Sequence, residues 1–317
     1  MKHVFVLNPA AGTGDMIEPL KEKIKSACGK LGADYTIYLT NSRGDAREYV
    51  KRTVGETSEK TRFYACGGDG TLGEVVGGAI GSINAEVGLV PIGTGNDFVR
   101  NFGHAEDFFD IEKQLCGEAG ALDVIKCNDI YGINELNVGF DCNVVEKMEE
   151  LRGNKFVPSK MRYGASVAIN FFKKFGTKMK ITADGETFEG DMTLCAVGNG
   201  GYYGGGFNAL PKSKTNDGLL DVCIVGKVSR AKFVSLLGPY KTGAHLENKA
   251  SEDCITYRQC KSVRIELEEE RFFCIDGELE KMKGVDIELV HKAIMFSVPA
   301  SSQSTEIKKS AAAETSI

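Results

Sequence analysis

No run of about 18 consecutive apolar residues occurs in this chain, which excludes a membrane-spanning helix of ordinary length. We expect no signal peptide either, because the apolar stretch at residues 4–7 is too short for the hydrophobic region of one. We therefore expect a cytoplasmic protein that would reach any membrane substrate from outside the bilayer, peripherally.

The ten cysteines form no C-x-x-C pair. Cysteines scattered in this way are typical of small buried side chains in a reducing compartment, not of a disulfide framework or a zinc site. Positive charge is not in excess either, since the net charge is −5. This acidic balance argues against nucleic acid as a partner.

Two well-known phosphate-handling motifs are absent. No G-x-x-x-x-G-K-[ST] segment occurs, which excludes a P-loop protein. The H-R-D and D-F-G pair of the protein kinases is missing too.

The first part of the chain alternates predicted strands and helices. Strands are expected at residues 4–7, 35–39, 63–66 and 87–90, with helices at 15–31, 45–54 and 71–80 between them. Such alternation predicts an α/β N-terminal nucleotide-binding domain with an open parallel sheet, which we place at residues 1–120.

From about residue 121 the pattern changes to short strands. They are predicted at residues 122–127, 133–138, 179–183, 187–197, 219–225, 263–267, 272–275 and 286–290, with helices near 159–175 and 229–237. Asp184-Gly185 is a strong two-residue hairpin signal. We expect a mostly antiparallel β-sandwich at residues 121–300 and a disordered tail at 301–317.

Three glycine-containing loops follow strands of the predicted parallel sheet, at residues 8–14, 67–74 and 91–97. Glycine lets backbone N–H groups approach a phosphate closely, and the next helix adds partial positive charge. Each loop alone is equally compatible with an ordinary turn, but three in one sheet favour a phosphate site. Thr71 and Glu74 also have the spacing of a capping box.

Asp69 lies inside the second glycine loop, where a carboxylate would repel a phosphate unless a cation intervened. Mg²⁺ is the usual cation, and Asp97 and Asp123 could join it. The alternative is that Asp69 and Asp97 only stabilise helix starts. Gly68-x-Gly70-x-x-Gly73 also matches the dinucleotide fingerprint, but it stands on the third turn rather than the first.

These segments resemble the diacylglycerol kinase catalytic-domain family, which includes soluble bacterial lipid kinases and the sphingosine and ceramide kinases. The resemblance spans residues 4–298 and rests on N-P at 8–9 with Gly12 and Gly14, G-G-D-G-T at 67–71 with Glu74, P-I-G-T-G-N-D-F at 91–98 with Arg100, G-N-G-G at 198–201, G-G-G at 204–206, N-D-G-L-L-D at 216–221 and D-G-E at 276–278. This chain has Ala11 and Thr13 where the family often has Ser and Lys. The resemblance therefore implies that Arg100 or a lysine of the β half serves the phosphates.

The resemblance implies an ATP- and Mg²⁺-dependent kinase acting on the hydroxyl group of diacylglycerol or a related membrane lipid. The implied ATP contacts are Asn8, Ala10, Ala11, Gly12, Thr13, Gly14, Thr40, Gly67, Gly68, Asp69, Gly70, Thr71, Leu72, Gly73, Glu74 and Thr94. Asp69, Asp97 and Asp123 would organise the catalytic Mg²⁺ through water. A structural Mg²⁺ would be held by Asp217 and the carbonyls of Lys214 and Leu219, and Asp276 with Glu278 would supply the catalytic base.

Residues 151–183 contain no acid and eight bases, which is a strong asymmetry in an acidic chain. The bases are Arg152, Lys155, Lys160, Arg162, Lys173, Lys174, Lys178 and Lys180, and phenylalanines interleave them. We expect either a solvated helix with a buried aromatic face or a peripheral docking face for anionic lipid.

Two other functions stay open at this point. One is an NAD kinase, which shares G-G-D-G-T but would need no basic, aromatic surface. The other is a non-catalytic nucleotide- or lipid-binding regulator, which an incomplete set of Asp69, Asp97 and Asp276 would favour. The sequence leaves the lipid and the oligomeric state open, and a homodimer is compatible with it.

Overall fold

The computed structural model describes residues 1–12, 14–103, 105–152, 157–172 and 176–300. Contacts within the chain divide it into two compact units. Unit 1 comprises Met1–Val124, Thr215–Gly218 and the described residues from Val290 onward. Unit 2 comprises Ile125–Lys214 and Leu219–Leu289. The predicted tail at 301–317 lies outside the described residues.

Unit 1 alternates strands and helices through its first 115 residues. These elements are β1 (Lys2–Leu7), α1 (Ile17–Leu31), β2 (Tyr35–Leu39), α2 (Asp45–Glu56), β3 (Thr61–Gly67), α3 (Asp69–Ala79), β4 (Ala85–Pro91), two short 3₁₀ helices (Phe98–Phe102 and Ala105–Phe109) and α4 (Ile111–Leu115). β1 pairs in parallel with β2 and β3, and β3 pairs in parallel with β4. The predicted open parallel sheet is confirmed.

The burial of the strands agrees with their order in this sheet. Every residue of β3 and β4 is buried, as expected for central strands covered on both faces, whereas no residue of the edge strand β2 is. Helix α1 packs its apolar stripe on this sheet and ends at Gly32, whose φ of 64° closes the helix. The buried residues of this stripe include Ile24 and Cys28, whereas Leu31 at the end of the helix is 44% exposed.

Unit 2 is built mainly from antiparallel strands. Following β5 (Glu118–Cys127), which crosses from unit 1, the elements are β6 (Ile130–Gly132), β7 (Glu135–Gly139), α5 (Phe140–Arg152), α6 (Ser159–Phe172), β8 (Thr177–Ala183), β9 (Glu186–Gly198), β10 (Tyr202–Tyr203), β11 (Phe207–Asn208), β12 (Leu220–Gly226), α7 (Arg230–Thr242), β13 (Ile255–Cys260), β14 (Ser262–Ile275) and β15 (Glu278–Val298).

The strands β7, β8, β9, β12, β13, β14 and the first part of β15 pair with one another in antiparallel fashion. β9 pairs with β8 along its first half and with β7 and β12 along its second half. β14 pairs with β8, β7 and β15. The hairpin at Asp184-Gly185 is confirmed, since both residues have positive φ (44° and 91°) and join Ala183 to Glu186.

Several unit 2 elements differ from the sequence prediction. The strand expected at 133–138 begins two residues later, at Glu135, because Ile133 and Asn134 lie between β6 and β7. The strands expected at 263–267 and 272–275 are one strand, β14, with a register shift between Glu266 and Arg271. Helix α5 and strand β13 were not predicted.

The last strand completes the sheet of unit 1. The C-terminal part of β15 pairs in parallel with β4, where Met295 faces Glu86 and Phe296 faces Val87. Phe296 also stacks on Phe102 with ring centroids 5.2 Å apart. Unit 1 therefore depends on residues far along the chain.

Candidate active site

Asn8 joins the first glycine loop to the second. Its side-chain Nδ2 donates to the Thr71 hydroxyl at 3.0 Å, and its side-chain Oδ1 accepts from the Ala10 N–H at 2.9 Å. Its backbone N–H donates to the carbonyl of Cys66 at the end of β3. The two loops are thus fixed side by side at the carboxyl ends of β1 and β3.

The third loop packs against the other two so closely that side chains would not fit. A Cβ on Gly93 would lie 2.3 Å from the Cα of Gly68, and one on Gly12 would lie 2.5 Å from the carbonyl oxygen of Ile92. Gly12 also has a φ of 62°, which favours glycine. The three predicted loops therefore meet at one edge of the unit 1 sheet, where parallel α/β sheets bind ligands.

Asp69 is the acid at the junction of the second and third loops. Its carboxylate accepts from the backbone N–H of Asp97 at 3.0 Å and of Phe98 at 3.1 Å. Burial raises the pKa of Asp69, as does the negative charge of Asp97, against the opposing effect of those two donors. Asp69 thus does stabilise a helix start, that of the 3₁₀ helix at Phe98–Phe102, as the alternative interpretation expected.

The predicted capping box of Thr71 and Glu74 is wrong. Helix α3 begins at Asp69, with no side-chain cap, and the Thr71 hydroxyl is bonded to Asn8. The Glu74 carboxylate instead accepts from the backbone N–H groups of Gly44 at 2.7 Å and Ala46 at 3.1 Å. Glu74 therefore caps the N-terminus of the neighbouring helix α2.

Other predicted ATP contacts lie around these loops. Thr40, at the end of β2, donates its backbone N–H to the carbonyl of Leu7. Thr94 and Gly14 are exposed and Thr40 is half-buried, whereas Ala11 and Leu72 are buried. Thr13 lies outside the described residues. The exposed members can be reached by a ligand, but a direct contact with the Leu72 side chain would need the loop to move.

Asp123 is fully buried in unit 1 and holds two later segments of that unit. Its carboxylate accepts from the backbone N–H groups of Gly218 at 2.8 Å and Lys292 at 2.7 Å, and Nδ1 of His291 lies 2.8 Å away. Its own N–H donates to the carbonyl of Thr215. Asp123 thus fixes the segment that contains Asp217.

The three residues of the predicted structural Mg²⁺ site differ in their exposure. Asp217 and Lys214 are exposed and Leu219 is half-buried. Among the residues that the structure describes, no three His, Cys, Asp or Glu side chains converge closely enough to hold a metal directly. Both predicted Mg²⁺ sites therefore stay proposals, the catalytic one acting through water.

Asp276 is the first residue of the Asp-Gly turn between β14 and β15, with φ of 48° followed by 87° at Gly277. Its carboxylate accepts from three consecutive backbone N–H groups, those of Ile133 at 2.6 Å, Asn134 at 3.0 Å and Glu135 at 2.9 Å. Ile133 and Asn134 lie between β6 and β7, and Glu135 is the first residue of β7. Asp276 is buried, and Glu278 is half-buried at the start of β15.

Acidic side chains from elsewhere in unit 2 offset part of the positive charge of residues 151–183. Lys178 forms an ion pair with Glu268 at 3.1 Å, and Lys180 forms one with Glu266 at 3.4 Å. Arg162 donates to the carbonyl of Val157. The side chains of Arg152, Lys155, Lys160, Lys173 and Lys174 lie outside the described residues.

One group of titratable residues in unit 2 was not singled out by the sequence. Tyr203 donates to the carboxylate of Asp141, and its hydroxyl lies 3.0 Å from that of Tyr240. Burial raises the pKa of Asp141 to about 6. Asp141 lies at the start of helix α5. Because that helix was not predicted, no sequence pattern marked Asp141.

Two family descriptions match this chain. The diacylglycerol kinase catalytic domain matches residues 2–127, and the YegS C-terminal NAD kinase beta sandwich-like domain matches residues 134–297. The matched segments cover the three glycine loops and the Asp276 turn.

Curated relatives and solved structures agree with these matches. Proteins of Staphylococcus epidermidis and Staphylococcus haemolyticus, each named "Putative lipid kinase", are 26% identical to this chain over 284 and 297 residues. The alignments cover 88% and 92% of this chain and 90% and 94% of those relatives. The crystal structure of a "putative diacylglycerol kinase" from Bacillus anthracis superposes with a TM-score of 0.72 at 26% identity, covering 93% of this chain and 96% of that one.

Proposed function

Because this chain belongs to the family that joins a diacylglycerol kinase catalytic domain to a YegS C-terminal NAD kinase beta sandwich-like domain, we propose that it is a lipid kinase. It transfers the γ-phosphate of ATP to the hydroxyl group of diacylglycerol or a related membrane lipid. The product is phosphatidic acid or its analogue, which makes the reaction a step of phospholipid metabolism.

The observation that carries this proposal is the meeting of the three glycine loops around Asp69. Only glycine fits at Gly12 and Gly93, which lets the three loops pack together at this edge. The Gly93 N–H is bonded to the carbonyl of Gly67, so the phosphates of ATP would be met by other backbone N–H groups of these loops. Asn8, Thr40, Thr71 and the other predicted contacts of these loops border the same edge of the sheet.

The acids beside these loops fit a divalent cation. Asp69 and Asp97 are adjacent carboxylates, and the charge of Asp97 is one cause of the raised pKa of Asp69. A cation between carboxylates and phosphates would relieve this repulsion, and Mg²⁺ bound there would neutralise the charge that develops on the transferred group. Asp69, Asp97 and Asp123 would hold it through water, while Asp217 with the carbonyls of Lys214 and Leu219 would hold a second, structural ion.

Asp276 and Glu278 form the proposed base. A carboxylate within reach of the lipid hydroxyl would accept its proton as the phosphoryl group arrives. Three backbone donors orient the Asp276 carboxylate, and Glu278 follows two residues later. The lipid would be met at the surface of a bilayer, with residues 151–183 in peripheral contact.

The direct test is transfer of label from γ-labelled ATP, with Mg²⁺, to a panel of lipids in mixed micelles. The panel contains diacylglycerol, monoacylglycerol, a polyprenol and a sphingoid base, and NAD is a separate acceptor control. We expect label on a lipid, and none in the Asp69→Ala variant. Label on NAD alone, or on no acceptor at all, would contradict the proposal.

A further inference from the structure

Helix α6 exposes a group of apolar side chains, although its Val167 and Phe171 pack against the core of unit 2. Its buried side carries Ser166 and Asn170, which are 0% and 4% exposed. Its outer side carries Met161, Ile169 and Phe172, which are 64%, 38% and 79% exposed. Positions 161, 169 and 172 lie on one stripe of a helix.

Buried polar contacts fix this orientation. The side-chain amide of Asn170 donates to the carbonyl of Asn143 in α5 at 2.9 Å and to that of Ser166 at 3.0 Å. Turning α6 to bury its apolar stripe would break the bond to α5 and leave a polar side chain unpaired. The apolar stripe is therefore held outward by the fold.

Helix α7 extends the same surface. The Arg230 guanidinium donates to the carbonyls of Phe171 at 2.8 Å and Phe172 at 3.4 Å, which ties the start of α7 to the end of α6. One turn after Arg230 lies Val234, which is 54% exposed. We call Met161, Ile169, Phe172, Arg230 and Val234 the α6–α7 surface.

The charge on these two helices selects the partner. The chain has 44 acidic residues, yet neither α6 nor α7 contains one. Their sequences carry five bases, two in α6 and three in α7, of which Lys232 forms an ion pair with Asp253 at 3.0 Å. Exposed apolar side chains beside basic residues, with no acid, are the composition of helices that lie in the interface of an anionic bilayer.

We propose that the α6–α7 surface binds anionic bilayers by inserting Phe172, Ile169 and Val234 among the lipid chains. This proposal rests on the proposed lipid kinase function and deepens it. Binding then depends on apolar insertion as well as on lysine charge, and it includes α7, beyond the basic segment at 151–183.

The lack of tryptophan in this chain allows a direct test. Phe172→Trp places a single indole on the α6–α7 surface, and Ile83→Trp places one on a 92% exposed site of unit 1 as a matched control. With vesicles of phosphatidylglycerol and phosphatidylcholine, we expect the emission of Phe172→Trp to shift to the blue and to be quenched by brominated lipid chains. Ile83→Trp should show neither change. Identical spectra of Phe172→Trp with and without vesicles would overturn the proposal.

A second measurement separates this proposal from the function on which it rests. Phe172→Gln with Ile169→Gln should lower vesicle partitioning about tenfold or more, while Ile83→Gln leaves it unchanged. Phosphorylation of a short-chain, water-soluble diacylglycerol should stay at the wild-type rate. Unchanged partitioning of the double variant would refute insertion, even if the wild type is active. If the double variant dissociates a dimer and partitions like the wild type, the α6–α7 surface is a dimer interface and insertion is refuted. A wild type without kinase activity would refute the function but not the insertion.

Discussion

The carboxylate of Asp276 accepts a hydrogen bond from the backbone N–H of Asn134 at 3.0 Å. Asp184 makes similar bonds from an equivalent Asp-Gly turn, since its carboxylate accepts from the N–H groups of Lys261 and Ser262 at 3.0 Å each. Both aspartates have positive φ and hold a neighbouring segment. Asp184 therefore serves as a control for Asp276, because it occupies the same kind of turn but has no proposed catalytic role.

Asp276→Asn should lower kcat by about 10²–10⁴-fold, because an amide cannot accept the lipid proton. Asp184→Asn should keep wild-type turnover and cost less stability than Asp276→Asn, because Asp184 is exposed and water can replace its lost bonds. Lipid phosphorylation and urea unfolding of both variants check this. If Asp276→Asn loses no more activity than Asp184→Asn, the Asp276 turn is structural only.

Glu278→Gln tests the second acid of the proposed base. If Glu278 is the proton acceptor, its variant should show the larger loss of kcat and Asp276→Asn mainly a loss of stability. ATP affinity should stay at the wild-type value in both. A fall in ATP affinity that matches the fall in rate would assign this turn to nucleotide binding instead.

Asp69→Ala should nearly abolish transfer, because positioning of the phosphates and neutralisation of their charge are most of what phosphoryl transfer needs from a protein. It also removes the acceptor for two N–H groups of the third loop, so circular dichroism must show that the variant is folded. Wild-type turnover of a folded Asp69→Ala protein with Mg·ATP would rule out the metal assignment.

Glu74→Ala should destabilise the protein by about 1–3 kcal/mol, because two backbone donors at the start of α2 lose their acceptor. Glu22→Ala, an exposed glutamate of α1, is the control and should change stability by less than about 0.5 kcal/mol. Thermal and urea unfolding give these values. Equal effects of the two substitutions would show that the Glu74 bonds contribute nothing.

Asp141→Asn should stabilise the protein at pH 7 by about 1–3 kcal/mol. The pKa of Asp141 is raised from 3.8 to about 6, so the folded protein binds a proton more tightly than the unfolded chain, and stability falls as pH rises through that window. The variant should flatten this part of the pH profile, whereas Asp129→Asn, at an exposed turn, should not. A pH profile unchanged by Asp141→Asn would contradict the assignment.

Lys173→Gln with Lys174→Gln should weaken binding to anionic vesicles at low salt, since each base near such a surface contributes about 1 kcal/mol. Lys178→Gln should have a smaller effect, because Glu268 already offsets its charge. Vesicle sedimentation at several salt concentrations compares them. Equal binding of the wild type to neutral and anionic vesicles would remove the basis for a charge contribution.

Local patterns sufficed to predict the unit 1 sheet and its loops. Parallel central strands are continuous apolar runs, and each run here ends in a glycine turn, so β1, β3 and β4 could be placed from the sequence alone. The Asp184-Gly185 hairpin was equally local. Long-range pairings were beyond reach, and the clearest example is Glu74.

Glu74 has capping-box spacing to Thr71, but its partners lie about 30 residues earlier in the chain. Close packing of α2 on α3 decides this, because a Cβ on Gly78 would lie 2.6 Å from the carbonyl oxygen of Arg47. The proximity of α2 and α3 gives the Glu74 carboxylate better donors than its own helix. The hydrophobic periodicity of α2 and α3 does not indicate that the two helices pack together.

The pairing of β15 with β4 has a consequence for synthesis on the ribosome. β4 is complete at Pro91, but its neighbours Met295 and Phe296 are added about 200 residues later. At elongation rates of about 5–20 residues per second this delay is on the order of 10–40 s, during which β4 offers an open edge to other nascent chains. A fragment ending near residue 127 would keep that edge permanently, and we expect it to aggregate or to remain bound to chaperones.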